Sequence, residues 1–593
     1  MFTLRSPFGR VRTLQLAAVL ITLVLFLSLR SRQTEDPRPR IYRYTDDRPP
    51  RPIPVDIVPD GPNEEAAYLR QLVARHGLSN DVAWFGRRVR TAASAPRRRS
   101  MTDVAAAFLP RGQGRELPRA RADDEHLRLR TERAAALPRL PVAARSPRPG
   151  QVDASALLVG VATTHARLVY ANHSLVRDWQ RWLTDGAGKS NGATLVLTLH
   201  QASDAEARAA DDRLRALGID AVVRRPSGPG TKSAGGSGSS SSSSSTADLT
   251  ASYVELVRVL AAERAPSKKY LALVDDDVFL PSPGELLRRL AEYPPTQPFY
   301  VGAPAERADW VVDRAATVTY GGGAVFLTPP AADQLARLPC VAGDGDGDDA
   351  NPAEQDGSPA SQKTTTTIAP GAAQWDRLLH ECVLGNSNLA MHVLPSLYSP
   401  SDERYGLRAP DYASGSQPLT LHHHRSRHRF EAGRAHLVAS ACGEACFLQR
   451  FRFRDDWILV NGFALTQYLD GVDLLALDPP AAAASDTRLV AQQHYRDDAS
   501  EAEVQVAPRL LVDEDEAAAR DRTVVTWGGQ KRTWRFLDGH VDAATGEVWQ
   551  AYVRRRGRAN AWADGDERLA SDVVHAEEEA SDVDSVIVLI WEP

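Results

Sequence analysis

The residues best placed to do chemistry are three consecutive acids, Asp275, Asp276 and Asp277, which directly follow an apolar run of strand length. Adjacent carboxylates repel one another, and such a group usually persists because a hard divalent cation neutralises it. In open α/β sheets, ligands bind beyond the carboxyl ends of the strands. The pattern therefore favours a Mg²⁺ or Mn²⁺ site for a diphosphate over the alternative, a solvated acidic turn.

Two further segments offer groups that suit such a site. Gly322 and Gly323 lie in a three-glycine turn before a second apolar run, where they permit positive φ and close approach to a ligand, or simply a tight bend. Asp376 follows Trp375 at the start of a helical pattern. A carboxylate at a helix start is stabilised as an anion, which suits a general base and equally an N-cap.

A histidine cluster supplies the last candidate group. His422, His423 and His424 are consecutive, and a neutral imidazole is a common metal ligand. In an extended segment alternate side chains share one face, so we expect His422 and His424 to point together and His423 to point away. The alternative is a basic surface cluster.

Strands that alternate with helices must position these groups. The apolar runs and helical periodicity predict strands at 156–162, 193–199 and 220–224, with helices at 169–183 and 204–217. This alternation indicates an α/β fold with a parallel sheet.

Composition bounds the rest of the chain. Its 593 residues carry 71 Lys+Arg against 76 Asp+Glu, and 43% are hydrophobic. These values are typical of globular material and argue against a nucleic-acid partner. We predict a cytoplasmic tail (1–12), a transmembrane anchor (13–29) and a low-order stem (30–153) with helical pieces near 64–76 and 123–136. A catalytic domain (154–475) with flexible insertions (226–247 and 342–371) and a C-terminal β-rich region (476–593) would follow.

The apolar run from Leu14 to Leu29 indicates in which cellular compartment the rest of the chain lies. Arginines flank it on both sides, and no small-x-small cleavage site follows, which favours an uncleaved anchor over a signal peptide. The arginines of the short N-terminal tail favour a cytoplasmic N-terminus, so the remainder would be lumenal.

A lumenal setting changes how the cysteines and one asparagine are interpreted. Cys442 and Cys446 are spaced for a short disulfide loop, and Cys340 and Cys382 flank an insertion and are candidates for a second bridge; four buried free thiols are the alternative. Asn172 begins an Asn-His-Ser triplet, an acceptor for N-glycosylation.

Taken in order, the motifs resemble those of the fringe-like β1,3-glycosyltransferases, and especially their fungal fringe-related branch. The matching stretches are Thr163–Arg167, Leu273–Phe279, Tyr320–Leu327, Trp375–Val383 and Pro418–His423, with further likeness at Cys446–Arg450 and Ile458–Thr466. The resemblance covers roughly residues 154–475 and extends more weakly to the C-terminus.

The resemblance implies a GT-A glycosyltransferase fold (a Rossmann-like mixed sheet), a UDP-sugar donor, Mn²⁺ or Mg²⁺, and a single-pass type II Golgi anchor. By motif position, Asp277 binds the metal, Asp275 and Asp276 lie near the ribose and metal shell, His422 is the late metal ligand and His423 the neighbouring candidate. Asp376 takes the place of the catalytic base, and Arg167, Gly322 and Gly323 line the donor and acceptor cleft.

Three departures mark this chain. It has Gly-Gly-Gly-Ala at 321–324 where the family usually has Gly-Gly-Ala-Gly, His424 where an aromatic residue is common, and Trp375 where the fringe enzymes have a second acid. Asp376 is therefore the base candidate of its segment.

The expected activity is inverting, metal-dependent transfer of a sugar from a UDP-sugar to a glycan or glycoprotein hydroxyl, forming a β1,3 linkage. The alternatives are a catalytically silent lumenal glycan-binding protein on the same fold and a metal-dependent hydrolase.

Overall fold

The computed structural model describes residues 64–110, 116–124, 137–186, 188–226, 242–303, 321–342, 375–394, 396–397, 415, 417–425, 430–476, 494–495, 504–505, 510–512, 523–527, 529–557 and 581–592. The predicted tail and anchor, and most of both predicted insertions, lie outside these ranges. Within the described ranges, no helix combines the length and the apolar character needed to span a membrane.

Ten α-helices occur in the described part of the chain. They are α1 (Glu64–His76), α2 (His165–Leu183), α3 (Asp204–Ala216), α4 (Ser242–Glu263), α5 (Pro283–Leu290), α6 (Pro329–Leu335), α7 (Pro339–Ala342), α8 (Trp375–Asn386), α9 (Ala432–Ala435) and α10 (Ala439–Cys442).

The strands of the described residues form two large sheets and two small ones. They are β1 (Asp81–Ala95), β2 (Met101–Asp103), β3 (Arg119–Arg121), β4 (Arg139–Ala143), β5 (Leu157–Thr164), β6 (Thr194–His200), β7 (Asp220–Arg224), β8 (Tyr270–Val274), β9 (Tyr300–Ala303), β10 (Gly321–Leu327), β11 (Met391–Val393), β12 (Arg450–Arg452), β13 (Trp457–Val460), β14 (Ala464–Tyr468), β15 (Val472–Ala476), β16 (His494–Tyr495), β17 (Val504–Gln505), β18 (Leu510–Val512), β19 (Thr523–Trp527), β20 (Lys531–Val541), β21 (Val548–Arg554) and β22 (Asp584–Glu592).

The first large sheet is a mixed, parallel-rich α/β sheet with strand order β18-β11-β9-β10-β8-β5-β6-β7. Strand β10 runs antiparallel to β8 and β9, and the other pairs are parallel. Every residue of β5 and β8 is buried, which is typical of a sheet covered on both faces. The predicted α/β architecture is confirmed.

The second large sheet joins the two ends of the described chain. Strand β1 pairs in parallel with β22, the last strand, and the sheet order is β2-β12-β13-β14-β20-β21-β22-β1-β3, with β4 also pairing with β1. Helix α1 covers one face, where Tyr68 packs edge-on against Trp549. The other face shares one hydrophobic cluster with the first sheet, so the two sheets are built around a common core.

The stretch expected to be a low-order stem therefore differs from that expectation between 64 and 153. The predicted helix at 64–76 is present as α1, and most of the one predicted at 123–136 lies outside the described residues. The same stretch also supplies β1 to β4. Two of its arginines in β1 pair with acids from the far end of the described chain: Arg88 with Glu547, just before β21, and Arg90 with Glu592 in β22. Helix α4 likewise begins at Ser242, inside the insertion at 226–247 that was predicted to be flexible.

The four cysteines form two disulfides, as predicted: Cys340 with Cys382 and Cys442 with Cys446. The first joins α7 to α8 across 42 residues of sequence. Asn172 is exposed and lies where α2 is interrupted, in a run of three left-handed residues with φ of 48°, 54° and 58° at Ala171, Asn172 and His173. Its modification stays a prediction.

Candidate active site

The candidate site lies at the carboxyl ends of β5 and β8. The chain leaves β5 to form β6 on one side of it, and β8 pairs on its other side, so the strand order reverses between β5 and β8. Such a switch point is where open α/β sheets bind ligands. Thr163 and Thr164 end β5, and the three consecutive acids follow β8.

The middle acid is turned into the protein. Asp276 is buried and receives hydrogen bonds from Arg167, through Nε at 2.7 Å and a terminal nitrogen at 2.5 Å, and from the Thr163 hydroxyl. Burial raises the pKa of Asp276, while the Arg167 guanidinium opposes that rise. The predicted donor-binding pair Asp276 and Arg167 is thus one ion pair beside the site, and its contact with a donor stays a prediction.

The outer two acids meet two imidazoles. His422 Nε2 lies 3.1 Å from Asp275 Oδ2 and 3.2 Å from Asp277 Oδ1, and His423 Nδ1 lies 2.9 Å from Asp277 Oδ2. Burial alone would raise the pKa of Asp277, but the neighbouring His423 and His422 hold it well below its ordinary value. We call these four residues, Asp275, Asp277, His422 and His423, the Asp–His cluster.

Local backbone geometry aims both imidazoles at the acids. Leu421 and Phe279 exchange main-chain hydrogen bonds of 2.8 Å, which lays the histidine segment beside the residues that follow β8. His423 then adopts a left-handed backbone with φ of 52°, and its ring stacks on that of His422 at 3.6 Å between centroids. The predicted alternation is therefore wrong, because a left-handed residue breaks the period of two.

His424 points away from the cluster and into the core. Its Nδ1 donates to the main-chain oxygen of Phe430 at 2.9 Å, and its Nε2 lies 3.6 Å from the buried Asp178. Burial lowers the pKa of His424, which favours a neutral ring. The side chain therefore anchors the segment that carries His422 and His423.

The glycine turn allows His422 to pack closely. Gly323 has φ of +78°, and a β-carbon there would lie 2.5 Å from His422 Nδ1. Its main-chain oxygen accepts a 2.8 Å hydrogen bond from the Asp275 N–H. Gly322 precedes it in β10. Only a residue without a side chain fits at Gly323, while contact of either glycine with a donor stays a prediction.

The start of α8 also reaches the acids. The indole N–H of Trp375, the first residue of the helix, donates to Asp275 Oδ1 at 2.5 Å. Asp376 is the second residue, 6% exposed, and its Oδ1 accepts from the Arg377 N–H at 2.9 Å. Burial and the neighbouring Asp376 raise the pKa of Tyr300. The predicted position of Asp376 at a helix start is confirmed, and its role as a base stays a prediction.

The donor atoms fit a divalent cation. One ligand atom each from Asp277, His422 and His423 lie within 4.8 Å of one another, and the second acid, Asp275, is 3.1 Å from His422. Carboxylate oxygens suit Mg²⁺ and Mn²⁺, and imidazole nitrogens suit first-row transition ions. The mixed set therefore fits a transition ion such as Mn²⁺ better than Mg²⁺, which prefers oxygen ligands throughout.

Sequence reasoning missed three residues that shape this site. The Thr163 hydroxyl holds Asp276, Tyr253 stacks on Trp375, and Asp178 lies beside His424. Thr163 carried a signal, since it lies in the same short motif as Arg167. The stacking of Tyr253 on Trp375 carried none, because those residues meet only through the fold.

Comparisons with known proteins give no family assignment. No protein-family model matches the chain, and no curated protein matches it. Among solved structures, the galactosyltransferase LgtC in complex with donor and acceptor sugar analogues aligns at 11% identity and a TM-score of 0.21, over 30% of this chain and 62% of its own, which is less than two thirds of its length.

Two further structures align at the same level. Mouse xyloside xylosyltransferase 1, in its apo form, aligns at 12% identity and a TM-score of 0.19, over 31% of this chain and 70% of its own. The glycosyltransferase GlyE of Streptococcus pneumoniae TIGR4 aligns at 11% identity and a TM-score of 0.25, over 45% of this chain and 53% of its own. Alignments this weak establish neither the fold family nor the activity of this chain.

Proposed function

We propose that this chain is an inverting, metal-dependent glycosyltransferase that moves a sugar from a UDP-sugar to a hydroxyl of a glycan or glycoprotein, forming a β1,3 linkage. The observation that carries the proposal is the Asp–His cluster at the switch point of the sheet, where His423 meets Asp277 across 146 residues of sequence. The order of motifs that resembles the fringe-like enzymes supports the choice of reaction.

Asp277, Asp275, His422 and His423 would hold Mn²⁺ or Mg²⁺. Such an ion supplies positive charge that stabilises a departing diphosphate. Arg167 holds Asp276 in the wall of the site, and its side chain remains 54% exposed, so the guanidinium is also available to a donor phosphate. Gly322 and Gly323 would bring the backbone of β10 close to the donor.

Asp376 would remove the proton of the acceptor hydroxyl. Inverting transfer needs a base opposite the leaving diphosphate, and Asp376 is adjacent in sequence to Trp375, whose indole contacts Asp275. This contact supports placing Asp376 beside the Asp–His cluster.

We also propose a lumenal site of action, as a single-pass type II protein of the Golgi membrane. Both predicted cysteine pairs are in disulfides, which form and persist in oxidising compartments. The acceptor triplet begins at an exposed asparagine, Asn172. The apolar run at 13–29 supplies the proposed anchor.

The test uses the full chain and two substitutions with matched controls. Asp277→Ala should abolish Mn²⁺-dependent binding of UDP, measured by calorimetry, while Asp123→Ala, at an exposed acid that also follows a strand, should not. Asp376→Asn should lower transfer by about 10²- to 10⁴-fold and leave UDP binding intact, because a general base contributes that much. Asp204→Asn, at the exposed start of α3, is its control.

The donor is found first, by screening a panel of UDP-sugars for Mn²⁺-dependent thermal stabilisation and then for product. Unchanged UDP affinity in Asp277→Ala would eliminate the cation site. Loss of UDP binding in a folded Asp376→Asn variant would count against the base.

A second candidate is a lumenal glycan-binding protein without transferase activity. The burial of Asp376 favours it, since a base must reach the acceptor hydroxyl. A wild-type chain that binds glycans but never transfers or hydrolyses any UDP-sugar of the panel would establish this second function.

A further inference from the structure

The two oxygens of Asp275 have different partners. Oδ1 accepts the indole N–H of Trp375 at 2.5 Å, and Oδ2 lies 3.1 Å from His422 Nε2. One oxygen of the carboxylate therefore faces the helix start, and the other faces His422. An indole N–H can only donate, so Trp375 cannot itself ligate a cation.

Trp375 is held firmly in place. It is 6% exposed, and its ring stacks on that of Tyr253 at 4.4 Å between centroids and 15° between planes. The Tyr253 hydroxyl donates to the main-chain oxygen of Val274 at 3.0 Å and lies 3.2 Å from that of Ala162. The contact with Asp275 is thus braced against the ends of β8 and β5.

We propose that Trp375 is a positioning residue for the cation site. Its indole N–H donates to Oδ1 of Asp275 and so fixes the rotation of the carboxylate. Oδ2 is then free to face the cation. The inference rests on the proposed function of the Asp–His cluster. Hydrogen bonds of this kind orient metal ligands, and their loss commonly weakens metal affinity by about 10- to 100-fold.

The same contact couples two parts of the site. Trp375 opens α8, and Asp376 is the next residue, so the bond to Asp275 ties the helix start to the acids that follow β8. A tryptophan in the place of a second acid thus supplies a donor to Asp275 instead of another negative charge.

The first test is substitution of the indole by a ring that lacks the donor. Trp375→Phe keeps an aromatic face for Tyr253 and removes the N–H. In the full chain, titrated with Mn²⁺ alone and followed by electron paramagnetic resonance, we expect affinity at least about tenfold weaker than that of the wild type.

Trp534→Phe is the matched control. That buried indole stacks on Trp457 at 5.1 Å and donates to the Ser585 hydroxyl at 2.8 Å, in the second large sheet. The Trp534→Phe variant also loses an indole hydrogen bond, but one that lies away from the site. Its Mn²⁺ affinity should therefore equal that of the wild type. Equal affinities in the wild type and a folded Trp375→Phe variant would overturn the role of Trp375.

A second measurement needs neither metal nor nucleotide. In chain labelled with ¹⁵N-tryptophan, the indole resonance lost in Trp375→Phe should move upfield in Asp275→Ala, because the carboxylate acceptor is gone. An unmoved resonance would overturn the contact.

The Mn²⁺ titrations of the wild type and of Trp375→Phe distinguish this inference from the proposed function. A wild-type chain that binds no Mn²⁺ would overturn the cation site, and the role of Trp375 with it. Wild-type binding together with unchanged affinity in Trp375→Phe would overturn the positioning role alone.

Discussion

Three neighbouring carboxylates are tolerated because each meets a different donor. Asp275 receives an indole N–H, Asp276 a guanidinium and a hydroxyl, and Asp277 two imidazoles. Opposite charge and hydrogen bonds favour the ionised form of a carboxyl, which offsets the repulsion between neighbours. Of the three acids, Asp275 and Asp277 therefore belong to the Asp–His cluster, and Asp276 forms part of the wall of the site.

At this scale we predict that Gly323→Ala damages the cation site. A β-carbon at this glycine would lie 2.5 Å from the His422 ring, so the imidazole must move. The positive φ adds strain of about 1–2 kcal/mol. We expect Mn²⁺ affinity to fall by about tenfold or more, measured by titration with Mn²⁺.

Gly77→Ala separates the backbone strain of that change from its close contact with the His422 ring. Gly77 also has a positive φ, +61°, but a β-carbon there has no neighbour within 4 Å. This control should lose comparable stability on urea unfolding and keep its Mn²⁺ affinity. If Gly323→Ala binds Mn²⁺ as tightly as Gly77→Ala, the close packing of Gly323 on His422 does not support the site.

The types and order of the site residues were readable from the sequence, whereas their orientations were not. A run of acids after an apolar strand predicted where Asp275 and Asp277 lie. Nothing in the sequence indicated that His423 would adopt a left-handed backbone conformation and contact Asp277, as His422 does. Such a conformation depends on contacts from distant parts of the chain, which periodicity does not encode.

At the scale of elements, local pattern predicted most of the α/β sheet. The predicted strand at 220–224 is β7 and the predicted helix at 64–76 is α1, each with the same bounds. These elements have clear periodicity and recognisable ends. The interruption of α2 at Tyr170–His173 was missed, because no glycine or proline marks it.

The loop closed by Cys442 and Cys446 carries a prediction about pH. Glu444, which is 3% exposed, accepts hydrogen bonds from the Ser282 hydroxyl at 3.0 Å and the Gly284 N–H at 3.1 Å. Burial raises its pKa to about 7, from an ordinary 4.5. Between these values the folded chain keeps a proton that the unfolded chain releases, so the free energy of unfolding falls as pH rises, by about 3 kcal/mol for this group.

Glu444→Gln should remove that contribution, because an amide oxygen can accept the same bonds without charge. Urea unfolding at pH 5 and pH 8 should show a smaller loss of stability in this variant than in the wild type. Glu292→Gln, at a side chain that is 50% exposed, should behave like the wild type. Parallel pH curves for wild type and Glu444→Gln would contradict the shift.

At the scale of the whole molecule, the pairing of β1 with β22 joins strands that are far apart in the sequence. Val82 pairs with Asp584 and Arg90 with Glu592, so β1 can pair with β22 only after the residues between them have been made. Composition predicted β structure near the C-terminus, and the pattern there was correct. The partner strand was missed because its arginines suggested a stem, and pairing over such a separation leaves no local signal.

We predict that damage to β22 removes the cation site as well. Val588 is fully buried between β1 and β21, and an aspartate there would bury an unpaired charge at a cost of several kcal/mol, against a typical stability of about 5–15 kcal/mol. Because the two large sheets share one hydrophobic cluster, Val588→Asp should lose secondary structure and Mn²⁺ binding together, followed by circular dichroism and titration.

Val222→Asp is the control, since Val222 lies in β7 and is 40% exposed. It should fold and bind Mn²⁺ normally. Retention of Mn²⁺ binding in a Val588→Asp chain whose second sheet has unfolded would show that the two sheets fold independently.

The parallel pairing of β1 with β22 also limits where the polypeptide can be truncated. A recombinant fragment bounded by the motifs alone, from 154 to 475, would lack β1 and β22 and expose the apolar residues that pack against them. Truncated versions of this protein should therefore start upstream of Glu64 and retain Glu592. Affinity tags should be attached before Glu64 or after Glu592. Fusion partners should not be inserted within β1 or β22.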